Sequence, residues 1–235
     1  MNEAKRITYY DLRFEAAEGR LKAIIGRSEE LERLTRVTSR RINNNCIIVG
    51  ASGIGKTALV HGWAKQLIAE AHHGSRAFLQ LAAEHIHDVG EAEELLSRYQ
   101  EALATLPECI VFIDNFGAAV HSSNFRAQQM TRLYSSVVKN PETRLVLTMQ
   151  PQEFSWLSQE HPAFLQPFEI LQLKQQPASE QVQILAAILP TLSRTSVTVP
   201  AQVLKVIIDS IERFPTLGQL PRAGISLLDE CLAQS

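Results

Sequence analysis

Gly50-Ala51-Ser52-Gly53-Ile54-Gly55-Lys56-Thr57 fills every fixed position of the phosphate-loop pattern G-x-x-x-x-G-K-[ST]. The glycines let the backbone wrap closely round a polyphosphate with its N–H groups turned inward. Lys56 brings a mobile positive charge to the outer phosphates, and Thr57 brings a hydroxyl suited to magnesium. The positive end of a following helix would face the same anion.

The flanks agree. Cys46-Ile47-Ile48-Val49 is a short apolar, largely β-branched run of the kind that forms a buried parallel strand. Ala58 to Glu70 carries Ala58, Leu59, Trp63, Ala64 and Leu67 at helical spacing. Strand, loop and helix is the order the motif requires. A glycine-rich turn that binds nothing would need neither the lysine nor the threonine.

Further strands are expected at 77–81, 109–113, 144–148 and 168–173. Helical patterns fall between them at 92–106 and 125–139, with a short turn near 154–158. This alternation predicts an α/β fold, a parallel sheet sandwiched by helices. After Leu173 the character changes. Lys174-Gln175-Gln176-Pro177 is a polar linker, Ser179 can cap a helix to about Leu189, and Pro200 and Pro221 can each start another. The expected organisation is a nucleotide-binding α/β unit over 1–173 and a small all-helical unit over 174–235.

Composition narrows the function classes. Of 235 residues, 45% are apolar and 20% charged, which suits a globular chain with a sizeable core. A formal net charge of -2 gives no basic excess for a nucleic-acid partner. No apolar run approaches the length that spans a bilayer, and the first residues lack the apolar core of a signal peptide. Cys46 and Cys109 lie in apolar strands, with neither disulfide nor metal spacing, as expected of reduced core residues in a cytoplasmic protein. The seven histidines form no ligand pattern.

Phosphoryl transfer also needs a carboxylate at the end of a neighbouring strand for the magnesium shell. Asp114 ends the apolar run Cys109–Ile113 and is the candidate, with Thr57, for the metal. Asn115 follows it. Hydrolases of this kind generally place a carboxylate there to polarise the attacking water, and an asparagine cannot accept that proton.

Taken with these residues, the chain resembles the first ATPase module of the Clp unfoldases, in the AAA+ class of P-loop NTPases. The resemblance runs from Asp11-Leu12 through Glu18-Gly19-Arg20-Leu21, Ile24-Ile25-Gly26-Arg27-Ser28-Glu29-Glu30-Leu31 and Ser39-Arg40-Arg41-Ile42-Asn43-Asn44-Asn45. It returns in Leu220-Pro221 and Ile225-Ser226-Leu227-Leu228-Asp229-Glu230. It implies a large subdomain with a helical lid and ATP or ADP with magnesium as ligands. Ile24 and Ile25 would line the adenine pocket, Gly50 through Ala58 would cradle the phosphates, and Thr148, at a strand end, would sense the terminal phosphate. It also implies protein partners, including another AAA+ subunit in a homo- or hetero-oligomer.

The departures from the family are as informative. Asn115 stands where the family has an acid. Gln166-Pro167 stand before Phe168 where the family has paired arginines that reach a neighbour's ATP. Asp88, within His85–Glu91, stands where a pore loop has an aromatic residue. Arg222-Ala223 replace an acid and a lysine in the lid, leaving Arg222 as a candidate phosphate contact. The family's substrate-recognition domain and second ATPase ring have no counterpart in these residues. The expectation is an ATP-binding module with impaired hydrolysis that acts through protein interaction. The alternative is an active remodelling ATPase whose arginine comes from another subunit, with Arg126, Arg132 and Arg144 as conceivable donors.

Overall fold

The computed structural model describes residues 9–70, 76–82, 89–106, 108–121, 127–192 and 198–233. The candidate residues Asp88 and Arg126 lie outside them.

Among the described residues, six strands form one sheet: β1 (Tyr9–Asp11), β2 (Asn45–Val49), β3 (Ala77–Ala82), β4 (Cys109–Asp114), β5 (Arg144–Met149) and β6 (Phe168–Gln172). Their order is β1-β3-β4-β5-β2-β6. All neighbours pair in parallel except β1, which runs antiparallel along β3. The expected parallel sheet is present, and the antiparallel edge strand is an addition.

Parallel strands need crossovers, and helices supply them. They are α1 (Leu12–Ala17), α2 (Ser28–Thr38), α3 (Lys56–Ala69), α4 (Val89–Thr105), α5 (Phe116–His121), α6 (Ala127–Lys139) and α7 (Pro151–Glu160). Side-chain alternation along each strand feeds two cores. In β2, Ile47 and Val49 join Val111, Ile113, Leu145 and Leu147 with residues of α4 to α7. Cys46 and Ile48 join Ile110, Phe112 and Val146 with Leu34, Leu59 and Trp63 of α2 and α3. The central strands β2, β4 and β5 are mostly apolar because both faces are covered.

The chain then forms α8 (Ala178–Leu192), α9 (Ala201–Arg213) and α10 (Arg222–Ala233). Leu185, Leu204, Ile207, Ile208, Ile211, Leu220 and Leu228 make a third core. The predicted helix starts at Pro200 and Pro221 fall within a residue of the observed ones.

One boundary differs more. The turn expected near 154–158 is a ten-residue helix that begins at Pro151. Gln150 is its N-cap, with Pro151 in the first turn and Glu153 at the third position, a full capping box. Local capping, rather than apolar periodicity, sets this helix.

Candidate functional site

The phosphate loop leaves the C-terminal end of β2, at the crevice where ligands meet open parallel sheets. Its start is pinned by Gly50 N–H donating to Met149 O of β5 at 3.2 Å. Gly53 and Gly55 have φ of 83° and 101°, values that only glycine adopts without strain, and Gly55 caps α3. Gly53 also lies against α10: a Cβ there would sit 2.8 Å from Arg222 Cβ, and Arg222 N–H reaches Gly53 O at 3.4 Å. Ser52, Gly53, Gly55, Lys56, Thr57 and Ala58 line one wall of a cavity of about 610 Å³. Asp114, Asn115, Thr148, Gln150, Pro221, Arg222, Ile225 and Ser226 line the rest. Arg222, placed here on sequence grounds, is exposed at the cavity rim.

Within this cavity the polar groups are linked. Thr57 Oγ1 donates to Asp114 Oδ2 at 2.6 Å, and Thr148 Oγ1 donates to Asp114 Oδ1 at 2.5 Å. The Asn115 backbone N–H in turn donates to Thr148 Oγ1 at 2.7 Å. Thr148 is fully buried, so its hydroxyl is spent on orienting Asp114 and Asn115. Asn115 has φ 55°, a left-handed conformation that asparagine tolerates better than most residues. Lys56 folds back on its own loop and donates to Gly50 O at 2.7 Å and Ala51 O at 3.0 Å. Burial lowers its pKa below the ordinary lysine value, and the charges of Glu153 and Asp114 oppose that shift.

Glu153 has no place in the sequence-based site. Its Oε2 accepts the Gln150 N–H at 2.6 Å, and a Cβ on Gly117 would lie 2.2 Å from that oxygen. The capping spacing Gln150-Pro151-Gln152-Glu153 was the available signal. It locates the carboxylate at the start of α7 but says nothing of its nearness to Lys56.

A second cavity, of about 550 Å³, adjoins the first through the shared residues Gly55, Ala58, Pro221 and Ile225. It is mostly apolar, with Ile24, Ile25, Ile54, Ile184 and Ile188 in its lining. Ile24 sits tightly on α3, where a Cβ on Gly62 would be 2.6 Å from Ile24 Cγ2. The structure therefore gathers the sequence-predicted residues into two joined compartments, one polar and one apolar. The donor types fit a nucleotide with magnesium. Thr57 and Asp114 offer hard oxygen ligands, and magnesium needs only one or two protein groups beside phosphate and water. Among the described residues, no three His, Cys, Asp or Glu side chains cluster into a self-sufficient metal cage.

Of the arginines considered as substitutes for the missing pair, the two among the described residues, Arg132 and Arg144, are otherwise engaged. Arg144 is buried at the end of β5 remote from the loop, donating to Thr38 O at 2.8 Å and to Pro141 O at 3.1 Å. Arg132 is paired with Glu93 across α4 and α6. Gln166 and Pro167 stand just before β6, with Gln166 Oε1 accepting from Tyr134 at 3.5 Å.

The parallel sheet, the loop and the joined cavities define a P-loop nucleoside-triphosphatase fold. Residues 23–228 match the AAA ATPase domain family, and the chain belongs to that family, as a Clp-like AAA+ module. Chaperone protein ClpB of Oceanobacillus iheyensis is 26% identical over 229 residues, which cover 94% of this chain and 28% of that protein. AAA+ ATPase ClpV1 of Pseudomonas aeruginosa is 24% identical over 241 residues, covering 98% of this chain and 27% of that protein. Among solved structures, the S. cerevisiae Hsp104–ADP complex aligns with a TM-score of 0.82 at 22% identity, over 98% of this chain and 33% of that chain. The S. cerevisiae Hsp104:casein complex in its extended conformation aligns with a TM-score of 0.79 at 22% identity, over 96% and 40%. At that identity the structures speak for the fold. The chain spans about a quarter of the length of the curated relatives. Among the described residues, no helix is long and apolar enough to cross a membrane.

Proposed function

We propose that this module binds ATP or ADP with magnesium, hydrolyses ATP poorly, and uses the bound nucleotide to set an interaction surface for a protein partner. In this reading residues 1–173 form the large subdomain and 174–235 the lid, with nucleotide held where the two meet. The phosphates lie along Gly50 to Ala58, with Lys56 and Arg222 as cationic contacts. The base lies between Ile24, Ile25 and the first helix of the lid. Thr57 and Asp114 hold the magnesium, whose bound form would neutralise phosphate charge. Thr148 positions Asp114 and Asn115 through its hydroxyl.

The observation that carries the reading is the pairing of the phosphate loop with Asn115, beside Asp114, in the lining of one cavity. An amide can orient water but cannot take its proton. The cationic side of the reaction is weak as well. Gln166 and Pro167 carry no charge, and the arginine of a neighbouring subunit can be worth orders of magnitude in rate. Arg132 and Arg144 are held by Glu93 and by backbone carbonyls, so the alternative, an active remodelling ATPase with its arginine supplied by another subunit, gains nothing from these two in a second copy of this chain and turns on a different subunit.

ATP binding and ATP turnover measured on one sample, with Lys56→Ala as control, test this. Binding without turnover above the control supports the reading. Turnover that Lys56→Ala abolishes overturns it and makes the module a working ATPase.

A further inference from the structure

Gln176, in the linker ahead of α8, enters the apolar cavity from the lid side. The residue is buried and lines that cavity. Its Nε2 donates to Ile25 O at 2.8 Å and to Glu180 Oε2 at 2.7 Å. Both partners are acceptors, a backbone carbonyl and a carboxylate, so the amide can stand only one way round, with its nitrogen toward them. Glu180 is held close: a Cβ on Gly26 would meet its Oε2 at 2.2 Å. Among the described residues, Gln176 Oε1 receives no hydrogen bond.

We propose that Gln176 is the base-selecting residue of this site, presenting a fixed amide oxygen that accepts a hydrogen bond from the 6-amino group of adenine. This rests on the nucleotide reading above and adds the selectivity to it. A purine bearing a carbonyl at that position would set oxygen against oxygen in an apolar cavity, where an unpaired acceptor is costly. Arg27 is anchored by its pair with Glu30 and by donation to Ile54 O. Lys22 and Lys65 are exposed at the rim, and Lys22 donates to Thr191 Oγ1 at 3.4 Å. Glu180 is the positioning residue, since with Ile25 O it fixes which way the amide faces.

The test is competitive binding of ATP, purine riboside triphosphate, inosine triphosphate and inorganic tripolyphosphate to the full chain. The wild type should bind ATP roughly tenfold more tightly than the purine analogue, about the worth of one hydrogen bond, with inosine triphosphate weaker still. Gln176→Leu should bring ATP and inosine triphosphate to within about twofold of each other while leaving tripolyphosphate unchanged. Glu180→Gln, which removes one of the two acceptors that hold the amide, should shrink the same ratio and serves if the leucine variant does not fold. Equal wild-type affinities for ATP and inosine triphosphate overturn the proposal, as does a ratio that survives in either folded variant. A wild type that binds neither ATP nor tripolyphosphate defeats the nucleotide reading itself, and this inference with it. Binding of tripolyphosphate without base discrimination defeats the inference alone.

Discussion

Thr57 Oγ1 and Asp114 Oδ2 lie 2.6 Å apart, joining the first turn of α3 to the tip of β4 across the mouth of the phosphate compartment. The two groups that would share a magnesium ion are thus already held together, with Thr148 bracing the carboxylate from the other side. Thr57→Ala removes one brace and leaves the other. Unfolding in urea should show a loss of about 1 kcal/mol, the usual worth of such a hydrogen bond. The larger effect should fall on the metal. Titration calorimetry should show that magnesium no longer strengthens ATP binding; an undiminished magnesium effect would remove Thr57 from the ion's shell.

Gly53 carries two constraints at one atom. Its φ of 83° disfavours any side chain, and Arg222 Cβ occupies the space a Cβ would need. Gly53→Ala should therefore cost stability by about 1–3 kcal/mol through strain alone. Because the same methyl would press on α10, nucleotide affinity should fall along with the denaturation midpoint. A variant with wild-type stability would mean that α10 yields freely at that contact.

Sequence legibility followed how local each signal was. The chain Cys46 to Thr57 reads as strand, loop and helix because each turn of it obeys a short-range rule, and all three elements are there. The central strands were plain because burial on both faces makes them mostly apolar. β1 was not legible. Three residues, Tyr9 to Asp11, carry no period, and their pairing with Leu79 to Leu81 is a long-range event. α7 is longer than its apolar spacing implies because its first turn is set by the cap of Gln150 with Glu153. The nearness of Glu153 to Lys56, the burial of Thr148 and the amide geometry of Gln176 depend on how separate elements meet. No spacing along the chain encodes them.

Glu169 joins β6 to α2 by accepting from Arg33 at 2.6 Å and Arg40 at 3.0 Å. Those hydrogen bonds hold its pKa below the ordinary glutamate value. A carboxyl with a lowered folded pKa contributes stability above its unfolded value and loses it as pH falls through the folded one. The wild type should thus lose stability on acidification more steeply than Glu169→Gln across that acidic window. The effect should be small, since the pair is partly exposed and screened. Parallel denaturation curves at several acidic pH values check it, and identical slopes would show that the clamp adds nothing.

Lys56 gives the same sign of slope in an alkaline window, from burial rather than from favourable partners. Burial lowers its folded pKa, so between that value and the ordinary lysine value the unfolded chain binds more protons than the folded one. Its contribution to stability should therefore rise with pH across the alkaline window, relative to Lys56→Met. A polyphosphate favours the charged lysine, so ATP binding in that window should take up protons and weaken as pH increases. Calorimetry in buffers of differing ionisation enthalpy reads the uptake directly. Proton release, or none, would place the lysine away from the phosphates.

The contact between Gly53 and Arg222 has a mechanical meaning. The middle of the phosphate loop has no side chain of its own on that face, and the first residue of α10 fills the place. Loop and helix therefore share a seam rather than a hinge. Any swing of α10 against the sheet must first part from the loop backbone, and any ligand that reshapes the loop must push on α10.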